Sequence, residues 1–401
     1  VKIVYVTQRL PFGEGETFVI PEVDALLAAG HQVLLVPRSS RDPVIHDDVG
    51  ALLARTRRLP RSGRIAGAVA QSLTRRPRQT LAAFWRLRRT RPRRRAIANL
   101  RAAAEGIWVA RVARAWGADH IHAHWAHLTA TLAMAASEVS GIPWSFTAHR
   151  YDVVLNNLLD DKLRSARFGR FIAREMAAVA GSLVSPEAMR RSEVIHMGVP
   201  VPPLPNGRAP ARATPVVLCP ARFVKVKGHE YLLEAAAGLM RRGVALELWL
   251  AGDGPEEATI ARRVRDLGLE SRVRMLGLLP HAGLLRLYRE RQVDCVVLPS
   301  LDLGAHLHEG ISIALVEAMA HGVPAIGTRT GGIPELLGGG AGLVVPPADA
   351  DALADALDRV LRSPSLRREL SREGRRRVET EFDARAIAGQ LASRFSDRAG
   401  A

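Results

Sequence analysis

Short β-branched runs alternate with long alanine- and leucine-rich segments over most of this sequence, and no other feature constrains the fold as tightly. The first half offers KIVYVT (2–7), a helical stretch over 21–29 closed by Gly30, and QVLLVP (32–37). HIHAHW (120–125) and WSFTAH (144–149) follow, separated by a helix ending near Gly141. The second half repeats the scheme with PVVLCPAR, a helix from Glu230 to Met240, LELWLAG, a helix to Leu267, RVRMLG, DCVVLPS and PAIGT. Strands apolar on both faces, each followed by a helix, predict parallel sheets covered on both sides. The fold class expected is α/β, with two Rossmann-like doubly wound domains facing a central cleft at the carboxyl ends of their strands.

A chain of 401 residues exceeds one ordinary core. The Pro-, Gly- and Ala-rich VPVPPLPNGRAPARATP (199–215) reads as the place where the domains part. The expected division is a first domain over 1–204, a linker over 205–214, a second domain over 215–381, and a terminal segment over 382–401 expected to pack back on the first domain. Apolar content of 47% excludes a disordered chain. No run approaches the twenty apolar residues of a membrane span, and the first residues lack the layout of a signal peptide. Cys219 and Cys295, both inside strand-like runs, read as buried thiols and not as a disulfide, so the expectation is a cytoplasmic protein.

The glutamates of HEGISIALVEAMAHGVPAIGT (308–328) carry the sharpest chemical signal. Ser312 is placed to cap a helix over 313–321, with Glu309 just before its positive end and Glu317 about a turn and a half inside. The amides of Ile311, Ser312 and Ile313 then form a ready anion site. Such a segment can grip an elongated ligand with an anionic middle and hydroxyl-bearing ends. The competing reading is a solvated acid beside a helix-start acid.

In CPARFVKVKGHEYLLEAA (219–236), Arg222, Lys225 and Lys227 lie between a strand and a helix, where they can hold phosphate oxygens. A plain basic loop accounts for the same residues. The glycine spacing fits neither a P-loop nor a dinucleotide fingerprint. LAGDGPEEATI places Gly252, Asp253, Gly254 and Pro255 at a strand end, as a tight turn or as a point of close ligand approach.

The ordered set AR-x4-KG (221–228), AGDGPE (251–256), E-x7-E (309–317), GVPAIGT-x2-GGIPELL (322–337) and GLVVPP (342–347) resembles family 4 of the retaining glycosyltransferases, which have the GT-B fold. The likeness is dense over 215–350. GEGETFVIPEV (13–23), IHAHWA (121–126) and FTAHRYD (146–152) are similar to the subgroup that builds exopolysaccharides and related glycoconjugates. The resemblance implies that Arg222 and Lys227 neutralise a leaving diphosphate, Glu309 holds donor-sugar hydroxyls and Glu317 the ribose. It implies that the amides of Gly310, Ile311 and Ser312 meet the distal phosphate, and that the loop at Gly277 contacts the base. Gly252 lines the donor site, His149 sits beside the reacting sugar, and Gly13 or Gly15 lets the backbone approach the phosphate. His124 and Asp152 face the acceptor. The donor would be a nucleoside diphosphate sugar, with no cofactor and no metal. The acceptor would be a glycan, a lipid-linked glycan or a small natural product. Two departures bear on donor preference: the first-loop glycines are not adjacent, and Gly310 stands where a bulky aromatic is common.

The implied reaction is same-face transfer with the leaving diphosphate taking the acceptor's proton, since no nucleophilic carboxylate stands out. Alternatives are an epimerase or phosphorylase of the same fold, and a basic membrane-surface binding protein with an inactive donor site. Asp349 and Asp351 form the only Asp-x-Asp, where helix capping competes with metal binding. His120, His122 and His124 alternate onto one strand face, too tightly for a usual zinc site, and His127 follows them.

Net charge is +17, and the excess is concentrated. Between Ala54 and Arg114 stand eighteen arginines and one acid, Glu105. Phe84, Trp85 and Leu87 are interleaved in that belt. The readings are a solvated basic face, or a peripheral surface for anionic membrane lipids over 55–114. No nucleic-acid motif accompanies the charge, so nucleic acid is not expected as a partner.

Overall fold

The computed structural model describes residues 1–13, 15–44, 50–204, 212–304 and 308–396. Most of the expected linker, residues 205–211, lies outside them. The chain forms two compact units, one of Val1–Gly198 with Ala384–Ala401 and one of Val199–Asp383.

The first unit is built on a six-stranded sheet. Its strands are β1 (Lys2–Thr7), β2 (Gln32–Pro37), β3 (His120–His124), β4 (Trp144–Ala148), β5 (Phe168–Phe171) and β6 (Ser192–Val194). All neighbours pair in parallel, in the order β2-β1-β3-β4-β5-β6. The first helix is Ile20–Ala28, with Pro21 in its opening turn, where a missing amide hydrogen costs nothing. Helices Ala96–Trp116 and Leu128–Ser140 each end on a left-handed glycine, Gly117 and Gly141. The C-terminal helix Ala384–Ser396 belongs to this unit. It packs on Ile20–Ala28, and its Ile387, Leu391 and Phe395 join Ile3, Tyr5, Leu26 and Phe168 in one core.

The second unit repeats the plan with β7 (Val216–Pro220), β8 (Glu247–Ala251), β9 (Val273–Gly277), β10 (Cys295–Leu298), β11 (Ala325–Thr328) and β12 (Leu343–Val345). The order is β12-β11-β10-β7-β8-β9, again parallel throughout. Its core runs through Leu218, Leu232, Leu250, Val297, Leu315, Ile326 and Leu357. Cys219 and Cys295 sit inside it as free, buried thiols on neighbouring strands. Asp349 caps the helix Ala350–Arg362 by accepting from the Ala352 amide at 2.8 Å.

Strand order fixes where a ligand can sit. In each sheet the connections reverse direction at one point, and the strand ends diverge there to open a crevice. That point lies between β1 and β3 in the first unit and between β7 and β10 in the second.

Candidate functional site

At the crevice of the second unit, β7 runs into the loop 221–228 and β10 into the loop that ends at the helix Ile313–Ala320. Lys227 forms an ion pair with Glu309 across these two loops. The Ser300 hydroxyl lies 3.4 Å from the same carboxylate oxygen, and Thr328 bonds the Ser300 carbonyl from β11. Arg222 is exposed just beyond β7. Lys227 and Glu309, expected on a phosphate and a sugar respectively, are thus brought together and neutralise one another. Gly331 is what lets the chain close here. Its φ is +47°, and a Cβ would come within 1.6 Å of the Glu309 carbonyl oxygen. Gly310 and Ile311 are half-buried and Ser312 is buried at the helix tip.

Two details differ from expectation. Ser312 occupies the N-cap position with extended backbone, but its hydroxyl makes no capping bond to the first amides of the helix. Glu317 is buried in the helix and its carboxylate is taken by His281 Nε2 at 2.7 Å. His281 opens the next-door helix His281–Arg289, and no sequence motif singled it out. The carboxylate raises the imidazole pKa above its ordinary 6.5. Gly252 and Gly277 meet at the ends of β8 and β9, where the Gly252 amide donates to the Gly277 carbonyl at 2.8 Å.

The crevice of the first unit holds a different chemistry. Gly13, left-handed and buried, bonds Pro43, while Gly15 is exposed. Between Gly15 and Thr17 lies a residue that sequence reasoning passed over. Glu16 accepts the amides of Gln8 at 3.0 Å and Leu10 at 2.7 Å, with Arg9 between them, and the indole N–H of Trp125. One buried carboxylate therefore ties the loop after β1 to the loop after β3. Trp125 sits at φ 80°, a left-handed conformation rare for a bulky residue. Lys162 secures the same loop, donating to the carbonyls of Ala126 at 2.8 Å and His127 at 2.7 Å. Burial pulls its pKa down to about 7.

His149 stands at the N-terminus of the short helix Arg150–Leu155, packed against the rings of Trp125, Phe18 and His124. Its Nε2 lies 2.8 Å from His124 Nε2. Burial pushes the His149 pKa down to about 3, and that of His124 well below the usual imidazole value. His124 is completely buried, so it stands behind His149 and does not line a surface that an acceptor can reach. Asp152 is likewise 2% exposed, with its carboxylate on the His149 amide at 3.1 Å. Both corrections have one physical reason: side chains pointing into a two-sided parallel sheet and its helix layer bond to the protein.

Behind the histidines lies a buried polar row. Tyr5 donates to Glu22 Oε1 at 2.5 Å and lies 3.1 Å from His124 Nδ1. Glu22 Oε2 pairs with Arg170 at 2.5 Å, both side chains fully enclosed. Arg170 also donates to the carbonyls of Ile195 and His196. Donor atoms of Glu22, His122 and His124 fall within 4.8 Å of one another, as a metal would require. Their lone pairs are already used: His122 bonds Ser145 and Thr147, and Glu22 holds a guanidinium. A divalent cation would have to break these bonds beside a fixed positive charge, so the group does not fit one. His120 bonds Ser145 and stacks on Phe395.

Two six-stranded, doubly wound parallel sheets, with cations, a carboxylate and a helix tip at the switch point of the second, define a fold of the GT-B class. Residues 206–377 match the family described as Glycosyl transferases group 1. N-acetyl-alpha-D-glucosaminyl L-malate synthase of Bacillus anthracis is 27% identical over 305 residues, 72% of this chain and 77% of that protein. The amylovoran biosynthesis glycosyltransferase AmsK of Erwinia amylovora is 34% identical over 177 residues, 44% of this chain and 43% of that one. The chain thus spans less than half of AmsK. Among solved structures, HepE of Anabaena in complex with UDP superposes with a TM-score of 0.71 at 16% identity, covering 99% of this chain and all of that one. No helix among the described residues is long and apolar enough to cross a membrane.

Proposed function

We propose that this chain is a retaining, metal-independent glycosyltransferase. It moves a hexosyl-type sugar from a nucleoside diphosphate sugar to a sugar-bearing acceptor. The observation that carries the reading is the Lys227–Glu309 pair beside the N-terminus of the helix Ile313–Ala320, which the Ser312 hydroxyl does not cap. These two side chains cancel each other's charge. A diphosphate entering at the helix tip offers Lys227 a better partner and frees Glu309 to accept from sugar hydroxyls. Arg222, exposed at the same edge, adds a second fixed cation. Negative charge building on the leaving oxygen then meets donors that need not reorganise. The leaving diphosphate takes the acceptor's proton on the same face of the sugar.

Hydrolysis of a panel of nucleotide sugars in the presence of a chelator tests this, with UDP-sugars first because a structural neighbour contains UDP. Lys227→Ala and Glu309→Ala are each expected to lower turnover by about 10²–10³-fold, as loss of one preorganised contact does. Near-wild-type rates in both would sink the site assignment, and an inverted anomer in the product NMR spectrum would sink the retaining mechanism.

A second observation bears on the acceptor. Arg78, Leu81, Trp85 and Arg88 follow one another at helical spacing and all four are exposed, Leu81 by 61% and Trp85 by 63%. A solvent-facing stripe of this kind suits an anionic membrane surface, and with it a lipid-linked acceptor.

A further inference from the structure

The buried row Arg170, Glu22, Tyr5, His124, His149 contains only groups whose hydrogens are constrained by their neighbours. Arg170 has no acceptor atom, so it donates to Glu22. Glu22, a carboxylate holding that guanidinium, accepts at its other oxygen, and the Tyr5 hydroxyl must therefore donate to it. Tyr5 has a single proton. At the 3.1 Å contact with His124 Nδ1 it can only accept, and Nδ1 must carry hydrogen. His124, wholly buried near Arg170, holds one ring proton, which leaves Nε2 bare. The 2.8 Å contact between the two Nε2 atoms then needs its hydrogen from His149.

We infer that Glu22, acting through Tyr5 and His124, sets the tautomer of His149, which carries its proton on Nε2 and keeps Nδ1 unprotonated. Glu22 and Tyr5 are positioning residues: neither reaches the crevice, and both are fully enclosed. The consequence is that His149 accepts at Nδ1 from the backbone amide of Asp152, in the capping box of its helix, and has no hydrogen to give there. This bearing on turnover rests on the function proposed above, whereas the order of hydrogens rests on the bond network alone.

The order can be reversed on paper with one atom. In Glu22→Gln the amide oxygen must face Arg170, which only donates, so the amide NH2 faces Tyr5. Tyr5 then donates to His124 Nδ1, His124 carries hydrogen on Nε2, and His149 carries it on Nδ1. Nitrogen-15 NMR of the histidine-labelled full chain distinguishes the two nitrogens of each ring, with His124 and His149 assigned by the signals lost in His124→Asn and His149→Asn. The expected result is an Nδ1–H form for His124 and an Nε2–H form for His149 in the native chain, both inverted in Glu22→Gln. Should that variant not fold, Tyr5→Phe serves. It removes the acceptor for His124 Nδ1, and a mixture of both His149 tautomers is expected in place of one. UDP binding, which belongs to the second unit, should be unchanged in Tyr5→Phe while donor hydrolysis falls at least fivefold. A native His149 protonated on Nδ1, or tautomers indifferent to both substitutions, overturns the inference. Predicted tautomers with unaltered hydrolysis would overturn only the part assigned to His149 in turnover.

Discussion

His281 on Glu317 is the residue whose protonation is easiest to follow. Its hydrogen bond to the carboxylate raises its pKa above the ordinary 6.5. A histidine with a raised folded value adds stability that is complete below the unfolded pKa and fades as pH climbs through the folded one. Comparing thermal unfolding of wild type and His281→Ala from pH 5 to 9 should show the largest gap at the acid end, about pH 5–6, and convergence at the alkaline end. A gap that widens with rising pH would contradict the pairing. The side chain is 62% exposed, so the whole effect is small. What the sequence allowed one to read differs sharply at this scale. Arg222, Lys227, Glu309 and Glu317 announce themselves because charges cluster next to strand ends and glycines. Tyr5 in KIVYVT and Arg170 in FGRF look like ordinary strand residues. Their partner Glu22 lies 17 and 148 positions away, a separation that local pattern cannot bridge. The one available hint is that Glu22 sits among Val19, Val23 and Leu26 on the buried stripe of its helix, where an acid needs a partner.

Among elements, nine of the twelve described strands were legible, since apolar runs bounded by glycine or proline have few other uses, whereas the short β5, β6 and β12 were not read as strands. Helix boundaries moved by a residue: the stretch expected at 21–29 spans Ile20–Ala28, and Glu230–Met240 became His229–Arg241. The arginine belt resolves into parts that charge counting could not separate. Arg76, Arg86, Arg89 and Arg95 are tied to Val139, Glu138, Asp161 and Leu155 and serve the fold. Arg88 instead stacks on Trp85, beside exposed Leu81. That stripe should dock on membranes as an element. Sedimentation with vesicles containing anionic phospholipid is expected at low salt, weakened several-fold by Leu81→Asp with Trp85→Asp, and absent from neutral vesicles. Binding that survives the double substitution would assign the belt to simple charge attraction.

Over the whole molecule, two units share one plan but hold different groups at their crevices: the Lys227–Glu309 pair at a helix tip in the second, and His149 packed on Trp125 and Phe18 in the first. The second unit is continuous from Val199 to Asp383 and has its own core, so it is expected to fold alone, as calorimetry can check. The first is not continuous. Ending the chain at Asp383 strips Ile387, Leu391 and Phe395 from its core and uncovers the rings of His120 and His122. That truncated chain should lose the first unit's unfolding transition in calorimetry while keeping the second's. Retention of both transitions would show the terminal helix to be dispensable.

The detour also sets a timetable for synthesis. A ribosome finishes the whole of Val199–Asp383 before it releases the helix that completes the half it made first. Throughout that interval the earlier sheet waits with an oily flank open to whatever chaperone or neighbouring nascent chain is at hand.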